Sequence, residues 1–78
     1  MQSITELIRD ERIAVELRLA RVVNLRGNFL RRLPENLNAI IPFCTTLNLL
    51  ENPIKDVSSE ISVRFKLLSI KILFRYQV

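Results

Sequence analysis

The sequence predicts an α/β chain, a short solenoid of parallel strands joined by helical or irregular segments and capped at its N-terminal end by a helix. Three observations carry this: an internal repeat at a spacing of 24 residues, strand-type apolar alternation inside each copy, and a helix-start pattern ahead of the first copy. The element boundaries follow as residues 1–19 for the cap and 20–78 for the repeats, divided into 20–43, 44–66 and a partial 67–78.

Ser3-Ile4-Thr5-Glu6 matches a capping box. Ile4, Leu7 and Ile8 then share one helical face, with Arg12 and Glu16 a turn apart on another, so a helix is expected from Ile4 to Val15. A terminal repeat needs a polar outer surface, and covering the first repeat is the expected task of this helix. Residues 1–17 sum to −2, which argues against a helix lying on a membrane surface.

The repeat aligns Ala20-x-x-Val23-x-Leu25-x-x-Asn28-x-Leu30-x-x-Leu33 with Cys44-x-x-Leu47-x-Leu49-x-x-Asn52-x-Ile54-x-x-Val57, and Leu37 and Ile61 extend the match. Alternate side chains of a strand face opposite ways, so Val23 and Leu25 point into a core while Val22, Asn24 and Arg26 point out. Leu47 and Leu49 repeat the arrangement. Residues 35–43 supply the return segment, where Leu37, Ile40 and Ile41 form one inward helical stripe that Pro42 ends. Ile61 and Phe65 repeat that stripe. A third copy begins at Leu67-x-x-Ile70-x-Ile72, one residue early, with a strand expected over residues 69–75 and Arg75 in the Asn slot.

Asn28 and Asn52 fall just past the strands, where backbone groups in a turn need partners, and an amide both donates and accepts. Gly27, the only glycine, marks this turn as the place for an unusual backbone dihedral. Glu51 next to Asn52, and Asp56 near Ser58 and Ser59, read as turn and helix-start residues, and Cys44 as a small core hydrophobe rather than a nucleophile.

The spacing L-x-x-L-x-L-x-x-N-x-L resembles the leucine-rich-repeat family over residues 20–78. Within it, Leu33-Pro34-Glu35-Asn36-Leu37 and Glu51-Asn52-Pro53-Ile54 look most like the intracellular Ras-group scaffold proteins, and are similar to plant disease-resistance receptors. The resemblance implies that Asn28 and Asn52 form a structural Asn ladder. It also implies a concave strand face whose outward residues meet a protein partner, such as a signalling protein. Carried over by position these are Val22, Asn24 and Arg26, then Thr46, Asn48 and Leu50, then Ser69, Lys71 and Leu73. Their rows would be Val22-Thr46-Ser69, Asn24-Asn48-Lys71 and Arg26-Leu50-Leu73. The last row offers an apolar pair beside amide and basic groups, suited to a partner with an apolar anchor and an acidic rim.

Composition excludes other classes. With 78 residues the chain buries only about 60% of its unfolded surface, too little for a deep catalytic pocket. With no His and a single Cys it lacks the usual general base and any zinc-ligand set, so neither an enzyme, a metal nor a cofactor is expected. The acid-bearing N-terminal residues are not a signal peptide, the apolar stretch from Leu67 to Phe74 is too short to span a bilayer, and a cytoplasmic protein is expected.

Nucleic-acid binding is the alternative from a different class. Residues 18–32 sum to +5 and 62–78 to +4, but Arg31 and Arg32 lie beyond the turn from Arg26, and Phe29, Phe43, Phe65, Phe74 and Tyr76 fall mainly at core or terminal slots. A third reading is a truncated fragment active only within an assembly, since two and a fraction repeats fall short of the roughly three a solenoid needs. An open third strand then predicts a homodimer paired through the C-terminal edge.

Overall fold

The computed structural model describes residues 3–75. It is a small mixed α/β structure with a three-stranded parallel sheet. In chain order the elements are α1 (Ile4–Leu7), α2 (Glu11–Leu19), β1 (Val22–Asn24), α3 (Leu37–Ile40), β2 (Thr46–Asn48), α4 (Ser59–Leu67) and β3 (Lys71–Leu73). The sheet order is β1-β2-β3. Among the described residues no helix is long and apolar enough to cross a membrane.

The expected single N-terminal helix is two. Ser3 Oγ accepts from the Glu6 N–H at 3.1 Å, as the capping box requires, but α1 stops at Leu7. Asp10 then caps a new helix, its Oδ1 accepting from the Arg12 N–H at 3.0 Å, and α2 continues to Leu19, past the expected end. An Asp side chain that bonds the backbone two residues on competes with continuous helix and resets its start. Ile4 is fully buried, Leu7, Ile8 and Leu17 pack on the core from outside, and α2 lies against α3.

The core is one cluster. Val23, Leu25, Leu30, Leu33 and Leu37 of the first copy join Cys44, Leu47, Leu49, Ile54, Ile61 and Phe65 of the second, with Ile40 and Ile41 between them. Each faces inward as the alternation requires, and Leu47, at the centre of the middle strand, is wholly buried. Ser58 caps α4 by accepting from the Ile61 N–H at 3.2 Å, while its hydroxyl donates to Glu35 at 3.1 Å and links the two return segments.

β1 and β2 pair with an offset of 24, Val22 opposite Thr46 and Asn24 opposite Asn48. β2 and β3 pair with an offset of 25, Thr46 opposite Lys71 and Asn48 opposite Leu73. The third strand thus lags two residues behind its expected register. Shorter flanking segments offset four of the five residues by which α4 exceeds α3, so the register is set by where α4 ends. That helix closes with the Ser69 N–H on Lys66 O at 3.2 Å and the Ile70 N–H on Phe65 O at 3.0 Å, a Schellman motif. Ser69, expected in the strand, is instead the left-handed residue of that motif, with φ 54°. A lag of two keeps the inward parity, so Ile72 still faces the core side. The Asn slot of the third copy moves from Arg75 to beyond residue 75, outside the described residues.

Gly27 has φ 69°, as the turn required, yet Phe29, Glu51 and Ser69 also take positive φ. Glu51 sits 24 residues after Gly27, so the same turn is built once with glycine and once without.

Candidate functional site

The outward residues of the sheet do form one surface, with rows that differ from those expected. The observed register sets Val22 beside Thr46 and Lys71, and Asn24 beside Asn48 and Leu73. Ser69 leaves the surface for the turn after α4. Leu50 and Leu73, expected as an apolar pair, fall in different rows. Leu73 is moderately exposed beside an amide instead.

Asn24 and Asn48 each use half of the side chain locally. Asn24 Oδ1 accepts from the Arg26 N–H at 3.1 Å and Asn48 Oδ1 from the Leu50 N–H at 3.0 Å, the same Asx turn at both strand ends. Among the described residues their amide nitrogens, the Thr46 hydroxyl and the Lys71 ammonium donate to no protein group, so the polar centre of this surface is made of donors. Val22 and Leu73 flank it with exposed apolar groups.

Arg26 is committed within the chain. Its guanidinium holds Glu51 in a two-point ion pair, Nε to Oε2 at 2.8 Å and Nη2 to Oε1 at 3.1 Å. The hydrogen bonds and the charge of Arg26 hold the Glu51 carboxyl below its ordinary pKa, and Glu51 raises that of Arg26. Sequence reasoning took Glu51 as a plain turn residue. The signal was present, since a 24-residue repeat puts Glu51 in the turn beside that of Arg26.

The two repeat asparagines are not equivalent. Asn52 is buried and has five partners: Oδ1 accepts from the Asn28 and Leu30 N–H groups at 2.9 and 3.0 Å, and Nδ2 shares its two hydrogens among the carbonyls of Leu25, Leu49 and Leu50 at 2.9, 2.9 and 3.2 Å. It ties the turn after β2 to the turn after β1. Asn28 has no strand before β1 to reach, and its Nδ2 donates only to Arg26 O at 3.2 Å in its own turn.

Cys44 is buried, its Sγ–H donating to Thr46 O at 3.2 Å, and burial pushes the thiol pKa up. Among the described residues no group of His, Cys, Asp and Glu is arranged to hold a metal ion. The aromatic expectation needs correction: Phe65 is buried, but Phe29 and Phe43 are largely exposed, and Tyr76 lies outside the described residues. Both exposed rings sit in turns, Phe29 in left-handed backbone, where alternation no longer dictates an inward side. No protein-family model, curated protein or solved structure matches the chain.

Proposed function

We propose that this chain is a leucine-rich-repeat module without catalytic activity, an intracellular scaffold or adaptor that binds a protein partner on the outward face of its strands. The observation that carries the reading is that the 24-residue period of the side-chain pattern equals the offset at which β1 and β2 pair. Asn52 supports it further, bonding backward to the preceding turn as the Asn of that repeat signature would.

The chemistry of the face narrows the partner. Donors from Asn24, Asn48, Thr46 and Lys71 call for acceptors, so a carboxylate-bearing or backbone-exposing segment fits, with an apolar residue against Val22 or Leu73. Selection of peptides from a random library on the whole protein tests this. Selected peptides should be rich in Asp and Glu and should lose binding to an Asn48→Leu, Lys71→Glu double variant but not to Arg31→Glu. Equal binding to wild type and the double variant rejects the assignment.

β3 also supports a second contact, pairing of two copies. Its ladder to β2 uses Lys71 and Leu73, which by strand alternation leaves the Ile72 N–H and C=O aimed at the outer edge, and no described strand lies there. Sedimentation equilibrium over a tenfold concentration range should show a dimer, and a monomer throughout rules this contact out.

A further inference from the structure

The parallel register aligns more than the strands. Leu19, Phe43 and Leu68 each stand three residues before the first residue of their strand, so the sheet brings the segments that enter it, the end of α2, the turn at Phe43 and the end of α4, to one rim. All three protrude, at 67%, 60% and 59% exposed, and Leu67 beside them is 77% exposed. Soluble surfaces carry scattered leucines, but a row of apolar side chains at matching positions of successive segments is a continuous strip.

The strip is bordered by cations. Its segments read Arg18-Leu19-Ala20-Arg21, Pro42-Phe43-Cys44-Thr45 and Lys66-Leu67-Leu68-Ser69, and they contain no acid. Arg18, Arg21 and Lys66 are exposed, and none forms an ion pair among the described residues. The nearest acid in α2, Glu16, lines a shallow groove with Val22 and Asn24 on the strand side instead.

From this arrangement we infer that the rim formed by the segments before β1, β2 and β3 docks onto an anionic lipid bilayer, with Leu19, Phe43 and Leu68 entering the headgroup boundary and Arg18, Arg21 and Lys66 meeting lipid phosphates. Shape selects this occupant. Leu19, Phe43 and Leu68 protrude from the end of α2, from a turn and from the cap of α4, while Leu67 lines a shallow open groove with Glu60, Val63 and Arg64, so the three protruding groups suit insertion into a soft surface. Their charge complements an acidic leaflet. The inference is independent of the strand-face reading, because none of these residues belongs to that face.

The chain has no tryptophan, so Phe43→Trp provides a single reporter on the strip. Mixed with vesicles of phosphatidylcholine containing phosphatidylserine, this variant should show a blue-shifted emission, and with pure phosphatidylcholine vesicles much less. Arg18→Gln with Lys66→Gln in the same background should weaken partitioning about thirtyfold, at roughly fivefold per surface cation. Arg31→Gln with Arg32→Gln, equal in charge and away from the strip, should leave most of the binding intact. Leu19→Ser with Leu68→Ser should abolish it while the circular dichroism melt stays in place, since both side chains are already in water. An unshifted emission, equal shifts on neutral and anionic vesicles, or equal losses from the two arginine-containing pairs would each overturn the inference.

Discussion

Replacing Asn52 by Leu keeps the side-chain size and removes every polar atom. Two N–H donors and the carbonyls of Leu25 and Leu49 then lose their partner in the turns after β1 and β2, while Leu50 O keeps the Gly27 N–H. Three of the five contacts, those to the Leu30 N–H and to the carbonyls of Leu25 and Leu49, are buried, so water does not readily replace the amide. An orphaned buried group costs about 1–3 kcal/mol; at the low end for each, the loss is about 3 kcal/mol. For a chain of 78 residues the whole folding free energy is about 4–12 kcal/mol, so the transition should move far toward low denaturant. Asn28→Ala is the control, since it removes one bond in a partly exposed turn and should cost less than about 1 kcal/mol. Urea unfolding followed by far-UV circular dichroism gives both values. Equal losses for the two variants, or a loss below about 1 kcal/mol for Asn52→Leu, would refute the account of the buried turn.

Ser69→Gly should raise stability by about 1 kcal/mol in the same assay, because the Schellman position at φ 54° favours a residue without Cβ. Cys44 should react slowly with a disulfide reagent in the native protein and rapidly in urea, and a fast native reaction would contradict its burial. The Glu51 carboxyl should titrate below the ordinary value of about 4.3 and return to it in Arg26→Gln, read by carbon-detected nuclear magnetic resonance. Because the folded value is lowered, the pair's stabilisation is present above the ordinary carboxylate pKa and is lost as pH falls through the folded one; exposure and salt screening keep it small.

How far the sequence reached is visible in particular residues. The inward positions from Val23 to Phe65 were legible because a fixed period and strand parity leave few alternatives for an apolar side chain. The break at Asp10 was missed because a helix-face pattern continues smoothly across it, while a single Asx bond decides where the second helix begins. The register of β3 was missed for a different reason. Apolar residues at 67, 68, 70, 72 and 74 allow two alignments of the same parity, and only the place where α4 ends separates them. On the strand face the neighbours across the sheet differ from the expected rows once β3 shifts. Side-chain commitments such as Arg26 to Glu51, or Asn48 to the Leu50 N–H, depend on the turns and not on the repeat pattern alone.

The sheet order makes β2 the one described strand with partners on both sides, each drawn from 24 or 25 residues away. Neither ladder grows from a hairpin, so the described residues hold no short-range strand pair on which to start. Both closures span nearly equal loops and carry nearly equal entropic cost, so neither the N-terminal nor the C-terminal half is favoured to form first on that ground. Folding of this kind is slow for its size and converges on the middle segment. The amides of β2 should therefore exchange with solvent last, and any lesion there separates the molecule into two halves that share no other ladder.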